Sequence, residues 1–157
     1  AHYYPGSSFF MTKLIADRST HQLLGIQVLG SAVDKMVDIA VTGIAAGLTL
    51  EVFNSLDYSY APPFSTAIHP FVQACLVLEN KLSGAMMSMT PADYANGAAK
   101  DYQVVDVLPK PTIAGAKWVD LAQVNGPVEG LDRDAKLLLV CNRGRRAYLC
   151  GKGPSVR

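Results

Sequence analysis

Cysteine is scarce in this chain: three residues, at positions 75, 141 and 150, among 157. An odd, widely spaced set cannot build a disulfide framework. It fits a reducing cytoplasm, where each thiol is either buried filler or reactive. Charge is scarce as well, at 17% of residues with a formal net charge of +1. That balance excludes the clustered basic face of a nucleic-acid binder. The longest apolar run, residues 39–50, is broken by Thr42, Gly43 and Gly47. It is too short to span a membrane and reads as a buried helix. The opening Ala1-His2-Tyr3-Tyr4-Pro5 lacks the basic start and apolar core of a signal peptide. No Gly-x-Gly-x-x-Gly follows a strand, so neither kind of dinucleotide fold is expected. His2, His21 and His69 are far apart, without Cys or carboxylate at ligand spacing, so no metal site is expected. What is present is a 50% hydrophobic chain, enough for a real core in one domain or two small ones.

The first half reads as α+β. Residues 9–16 and 23–29 are apolar-rich runs joined by Asp17-Arg18-Ser19-Thr20-His21, a polar turn of hairpin length. Ser31, with Asp34 three residues on, predicts a capped helix. Its stripe of Val33, Met36, Val37, Ala40, Val41 and Ile44 runs to a stop near Gly47. Residues 49–54 read as a short connector. A second helix is expected from Pro70 to about Ser83, closed by Gly84, with Phe71, Ala74, Cys75, Leu78 and Leu82 on one face. Cys75 is expected to be core filling.

Composition shifts across residues 85–99, where methionines give way to a run of small residues. This places a boundary between a domain at 1–88 and one at 89–157. Beyond it, residues 102–107 and 136–140 predict two strands of a parallel sheet, the second buried on both faces. Chemistry in such sheets sits at the strand C-termini.

Cys141-Asn142-Arg143-Gly144-Arg145-Arg146-Ala147-Tyr148 follows the second strand directly. Backbone N–H groups after a strand, a helix start and three nearby arginines all favour thiolate over thiol. The same cradle of Asn142, Arg143, Gly144, Arg145 and Arg146 suits an anion such as a persulfide, a sulfonate or a phosphate. Cys150, nine residues on, reads either as a resolving thiol or as part of a glycine-rich tail. Two further motifs, Tyr3-Tyr4-Pro5-Gly6 and Tyr60-Ala61-Pro62-Pro63-Phe64-Ser65, pin a tyrosine beside prolines. A phenol so oriented can donate a hydrogen bond to a thiolate or carbonyl.

The Cys141 loop resembles the active-site loop of the rhodanese family, in which a Cys carries transferred sulfur as a persulfide and an Arg closes the loop. On that resemblance Cys141 is the carrier and Arg146 the closing arginine. Asp106 and Ile113-Ala114-Gly115-Ala116 resemble the family's Asp-Val-Arg and Ile-Pro-Gly-Ala elements, with Leu108 and Ala114 as departures. The stretch 2–84 resembles the dimerisation domain of the pyridine-nucleotide–disulfide oxidoreductases. Its closest branch comprises coenzyme A disulfide reductase, NADH oxidase and NAD(P)H polysulfide reductase. The matching pieces are His2-Tyr3-Tyr4-Pro5-Gly6, Leu24-Gly25-Ile26-Gln27 with Gly30, Asp34-Lys35 and residues 57–65.

This resemblance implies an α+β dimerisation domain followed by a truncated α/β rhodanese-like domain, the C-terminal part of a longer cytoplasmic enzyme. It implies a homodimer in which Tyr60 and Tyr3 or Tyr4 serve the partner's active site. FAD, NAD(P)H and coenzyme A are expected in the whole enzyme, with the flavin and nicotinamide held by N-terminal domains and none of the three bound by this stretch alone. Two other readings stay open: a docking and dimerisation module with a degenerate second domain, or a Cys–Arg anion-binding module. Arg146 stands five residues after Cys141, one short of a Cys-x5-Arg phosphatase loop, and this spacing favours sulfur transfer.

Overall fold

A computed structural model describes residues 5–152 apart from residues 63, 125, 127 and 133. Its contacts divide the chain into two compact units, Ala1–Met87 and Ser88–Arg157. In the first unit, strands β1 (Phe10–Ala16) and β2 (Leu23–Gly30) form an antiparallel hairpin, with Met11 opposite Leu29 and Ile15 opposite Gly25. Along β1 the burial alternates, so Phe10, Leu14 and Ala16 face the core and Met11, Lys13 and Ile15 face outward. The turn holds itself together: Asp17 accepts the backbone N–H groups of Ser19 and Thr20.

Helix α1 (Asp34–Ala45) begins later than the Ser31 cap predicts. Val33 is the capping residue and supplies no side-chain bond; its carbonyl takes the Met36 and Val37 N–H groups. Ala32, held at φ 55°, turns the chain just before the helix. The expected connector at 49–54 is a helix, α2 (Leu50–Ser55), capped by the Thr49 hydroxyl. Its single turn and a half is too short to show a helical period in the sequence, but it buries Leu50 and Phe53 three residues apart. Helix α3 (Pro70–Leu82) starts on Pro70 as expected, and the His69 side chain caps it by accepting the Phe71 N–H. Leu23, Met36, Ala40, Leu50, Phe53, Phe71 and Cys75 form the core of this unit. Phe53 and Phe71 meet edge to face with ring centres 5.0 Å apart. Each such ring is worth roughly 1.5–3 kcal/mol when fully buried.

In the second unit, helix α4 (Pro91–Ala95) opens on a capping box between Thr90 and Asp93. A three-stranded parallel sheet follows, made of β3 (Tyr102–Asp106), β4 (Lys117–Trp118) and β5 (Lys136–Val140) in the order β4-β3-β5. The expectation that β5 is buried on both faces fails. As an edge strand it leaves its leucines half-buried. Helix α5 (Arg145–Lys152) closes the described part of the unit. Of residues 149–154, which read as a glycine-rich tail, 149–152 are its last turn, and 153 and 154 lie outside the described residues. A Cβ at Gly151 would lie 3.3 Å from Leu139 Cδ1, so this turn packs closely on β5. Val105, Val107, Val119 and Cys150 are the buried core. Cys150 is 2% exposed, so it packs the interior.

Candidate functional site

Cys141 is the first residue beyond β5, at the C-terminal end of the parallel sheet. Gly144 then adopts φ 74°, a left-handed conformation that other residues enter at a cost, and this folds the loop back toward α5. Partial burial alone would push the Cys141 thiol up. The backbone N–H groups of Ala147, Arg143, Arg146 and Gly144 outweigh it and hold the thiol below its ordinary value. The loop is therefore a nest of main-chain donors around one half-buried sulfur. Asn142, Arg143, Gly144 and Arg145 lie at the exposed rim.

Arg146 has a second task. Its Nε–H donates to the carbonyl of Val107, and its guanidinium stands 3.8 Å from the carboxylate of Asp120. Asp120 in turn accepts the Ala122 N–H at the start of a 3-10 turn, Leu121–Gln123. The Arg146 side chain thus fastens the start of α5 to the loops after β3 and β4, while its backbone faces the sulfur. The sequence named Arg146 as the closing arginine but carried no sign that Asp120 stands opposite it.

In the first unit, Tyr60 is 65% exposed. Its neighbours are pinned: Ser65 accepts the Ala61 N–H and donates its hydroxyl to the Ser59 carbonyl. The Phe64 and Ser65 N–H groups both reach the Ala61 carbonyl at 2.7 Å. A tyrosine held out on a stapled loop loses little freedom when it meets a partner. Tyr3 and Tyr4 lie outside the described residues. Cys75 is fully buried, and burial followed by the charge of Glu79 pushes its thiol up to about 12, so it is chemically quiet. No group of three or more metal-ligating side chains occurs among the described residues, nor is any helix long and apolar enough to cross a membrane.

Residues 1–71 match the pyridine nucleotide-disulphide oxidoreductase dimerisation domain. The chain is 37% identical over 78 residues to an NAD(P)H coenzyme A polysulfide/persulfide reductase of Pyrococcus horikoshii, covering 50% of this chain and 18% of that protein. It is 34% identical over 71 residues to a coenzyme A disulfide reductase of Staphylococcus aureus, covering 45% and 16%. Two solved structures match across both units at 26% identity, each with 97% of this chain and 28% of the other covered. An NAD-dependent persulfide reductase from A. fulgidus superposes with a TM-score of 0.81, and the reduced Bacillus anthracis CoADR-RHD with 0.87. The first unit therefore carries an oxidoreductase dimerisation domain. The chain fits the C-terminal part of the coenzyme A disulfide and persulfide reductase branch. It spans under a fifth of those curated relatives and 28% of those solved chains.

Proposed function

We propose that the chain is the C-terminal part of a flavin-dependent NAD(P)H:disulfide or polysulfide oxidoreductase, and that Cys141 carries sulfane sulfur within a rhodanese-like domain at 89–157. The observation that carries the reading is the ring of four main-chain N–H groups that favours a Cys141 thiolate. The alignment of CoADR-RHD over 97% of the chain supports it.

In the first half-reaction the Cys141 thiolate attacks the outer sulfur of a persulfide or polysulfide. A Cys–S–SH forms, the donor's S–S bond breaks, and its inner sulfur leaves with the electron pair as a thiolate. The cradle's N–H groups then hold the anion of the persulfide as they held the thiolate. Passing the outer sulfur to an acceptor thiolate reverses the sequence and returns Cys141. No net oxidation occurs at this site. Bound flavin and nicotinamide in the parent would supply two electrons for cleaving an S–S bond. This chain has no Gly-x-Gly-x-x-Gly to hold either.

The dimerisation domain, placed at 1–88, contributes a homodimer contact. It also lends Tyr60, and by resemblance Tyr3 or Tyr4, to a partner active site that handles coenzyme A. Exposure of the Tyr60 ring on a stapled loop supports this.

The experiment is alkylation of Cys141 against pH, in the folded chain and in denaturant. Faster reaction at neutral pH in the folded chain, with a lower inflection than in denaturant, is the expected result. Equal rates and equal inflections would remove the activating cradle and leave the second unit a docking module.

A further inference from the structure

We infer that Asp106 is a positioning residue for Cys141: its carboxylate shapes the loop after β3 so that the Val107 carbonyl straps Arg146, and with it the start of α5, against the sulfur. This rests on the reading of Cys141 as a sulfur carrier.

Asp106 is 1% exposed and is the buried charged residue among those described. It ends β3, opposite Val140, so it lies beside the strand end from which Cys141 emerges. A buried carboxylate is costly unless its oxygens are fully employed. Here one oxygen accepts the Leu108 N–H at 2.8 Å, and the other accepts those of Thr112 at 2.8 Å and Ile113 at 3.0 Å. These three bonds gather residues 107–113 into a closed loop around the acid. The Trp118 indole N–H tightens it further by donating to the Leu108 carbonyl at 3.0 Å.

Val107 is the first residue of that loop. Its N–H is fixed to the Val140 carbonyl at 3.0 Å, and its own carbonyl receives the Arg146 Nε–H. Arg146 is also one of the residues whose backbone N–H meets the Cys141 sulfur. The path from Asp106 to Cys141 therefore runs through a loop, one carbonyl and one arginine. A loosened loop would free the Val107 carbonyl, and the first turn of α5 would lose its tie to the sheet.

The sign of the effect separates this role from simple electrostatics. Removing a negative charge close to a thiolate stabilises the thiolate and lowers its pKa. Removing the support of the cradle raises it. Asp106→Asn removes the charge and also replaces one of the two accepting oxygens with an NH2 that can only donate, so the loop loses bonds as well as charge and the direction of the shift decides.

The test compares alkylation–pH profiles of Cys141 in the 157-residue chain for wild type, Asp106→Asn, Arg146→Ala and the double variant. The expected result is a Cys141 inflection moved up in Asp106→Asn, with a smaller thiolate fraction and slower alkylation at neutral pH than in wild type. The double variant should react no more slowly than Arg146→Ala alone, because both changes cut one path. An unmoved or lowered inflection in Asp106→Asn overturns the positioning role, as does additive slowing in the double variant. Should Asp106→Asn fail to fold, amide exchange in Arg146→Ala answers the same question from the other end. Faster exchange at Leu108, Thr112 and Ile113 is expected, and unchanged exchange there overturns the inference. An ordinary inflection in wild type would instead overturn the sulfur-carrier reading itself.

Discussion

The phenol ring of Tyr58 lies flat on the imidazole of His69, with ring centres 5.0 Å apart and planes inclined by 20°. The stack joins the segment leading into the Tyr60 loop to the residue that caps α3. Yet the Tyr58 hydroxyl is buried without a hydrogen-bond partner. Burial, with the neighbouring Cys75 adding to it, pushes this phenol up to about 12. Removing an unsatisfied buried hydroxyl while keeping the ring is neutral to stabilising, by up to about 1 kcal/mol. Tyr58→Phe should therefore unfold at the same or a higher urea midpoint. A drop worth more than about 1 kcal/mol would mean that the hydroxyl has a partner.

Gly43 sits in α1 where a side chain would occupy the Phe53 ring. A Cβ there would be 1.9 Å from Phe53 Cζ and 2.5 Å from Cε1. Alanine ordinarily gains about 1 kcal/mol over glycine inside a helix. Overpacking a core this rigid costs about 1–3 kcal/mol or more, and the clash wins. Gly43→Ala should destabilise the first unit, and adding Phe53→Leu should recover part of the loss. A stabilised Gly43→Ala variant would contradict the packing of α1 on α2.

Glu51, in the first turn of α2, receives a hydrogen bond from the His21 ring at the hairpin tip. That ring first, then the Glu51 backbone N–H and the Thr49 hydroxyl, bring its carboxyl from an ordinary 4.5 to about 2. A carboxyl depressed in the folded state stabilises above its ordinary value and loses that contribution as pH falls. The window is therefore from 4.5 down to about 2. Since the Glu51 side chain is 53% exposed, solvent screening limits the effect to a few tenths of a kcal/mol. Glu51→Gln should be slightly less stable than wild type near neutral pH, and the difference should vanish toward the acid end of the window. A difference that grows on acidification would contradict this assignment.

The dimerisation domain leads us to expect association in solution. Met11 and Leu29, cross-strand partners on the outer hairpin face, are each 69% exposed. A pair of exposed apolar side chains on one face is apolar area that a dimer contact would cover. Sedimentation equilibrium at micromolar concentration should return twice the 16.8 kDa chain mass. A monomer there would contradict a self-sufficient dimer contact.

Much of this was legible in the sequence where local signals and burial agree. The hairpin announced itself through two apolar-rich runs joined by a polar turn, and α3 through Pro70 and Gly84. Cys141 stood out because a strand, a glycine and several arginines converge on one thiol. The failures have physical causes. Ser31 carries the right side chain for a cap, but Ala32 turns the chain before the helix begins. Helix α2 is too short to display its period, and Gly151, a poor helix former, hid the last turn of α5. The opposition of Arg146 and Asp120 is a tertiary fact with no local signature.

The central claim is that Cys141 takes up sulfur, and the most direct measurement is the mass of its peptide after incubation with inorganic polysulfide. The folded chain should gain one sulfur atom on Cys141 and none on the buried Cys75 and Cys150. Cyanide should then remove that sulfur as thiocyanate and restore the thiol. Sulfur spread evenly over the three cysteines, or equal uptake by Cys141→Ser, would contradict the account.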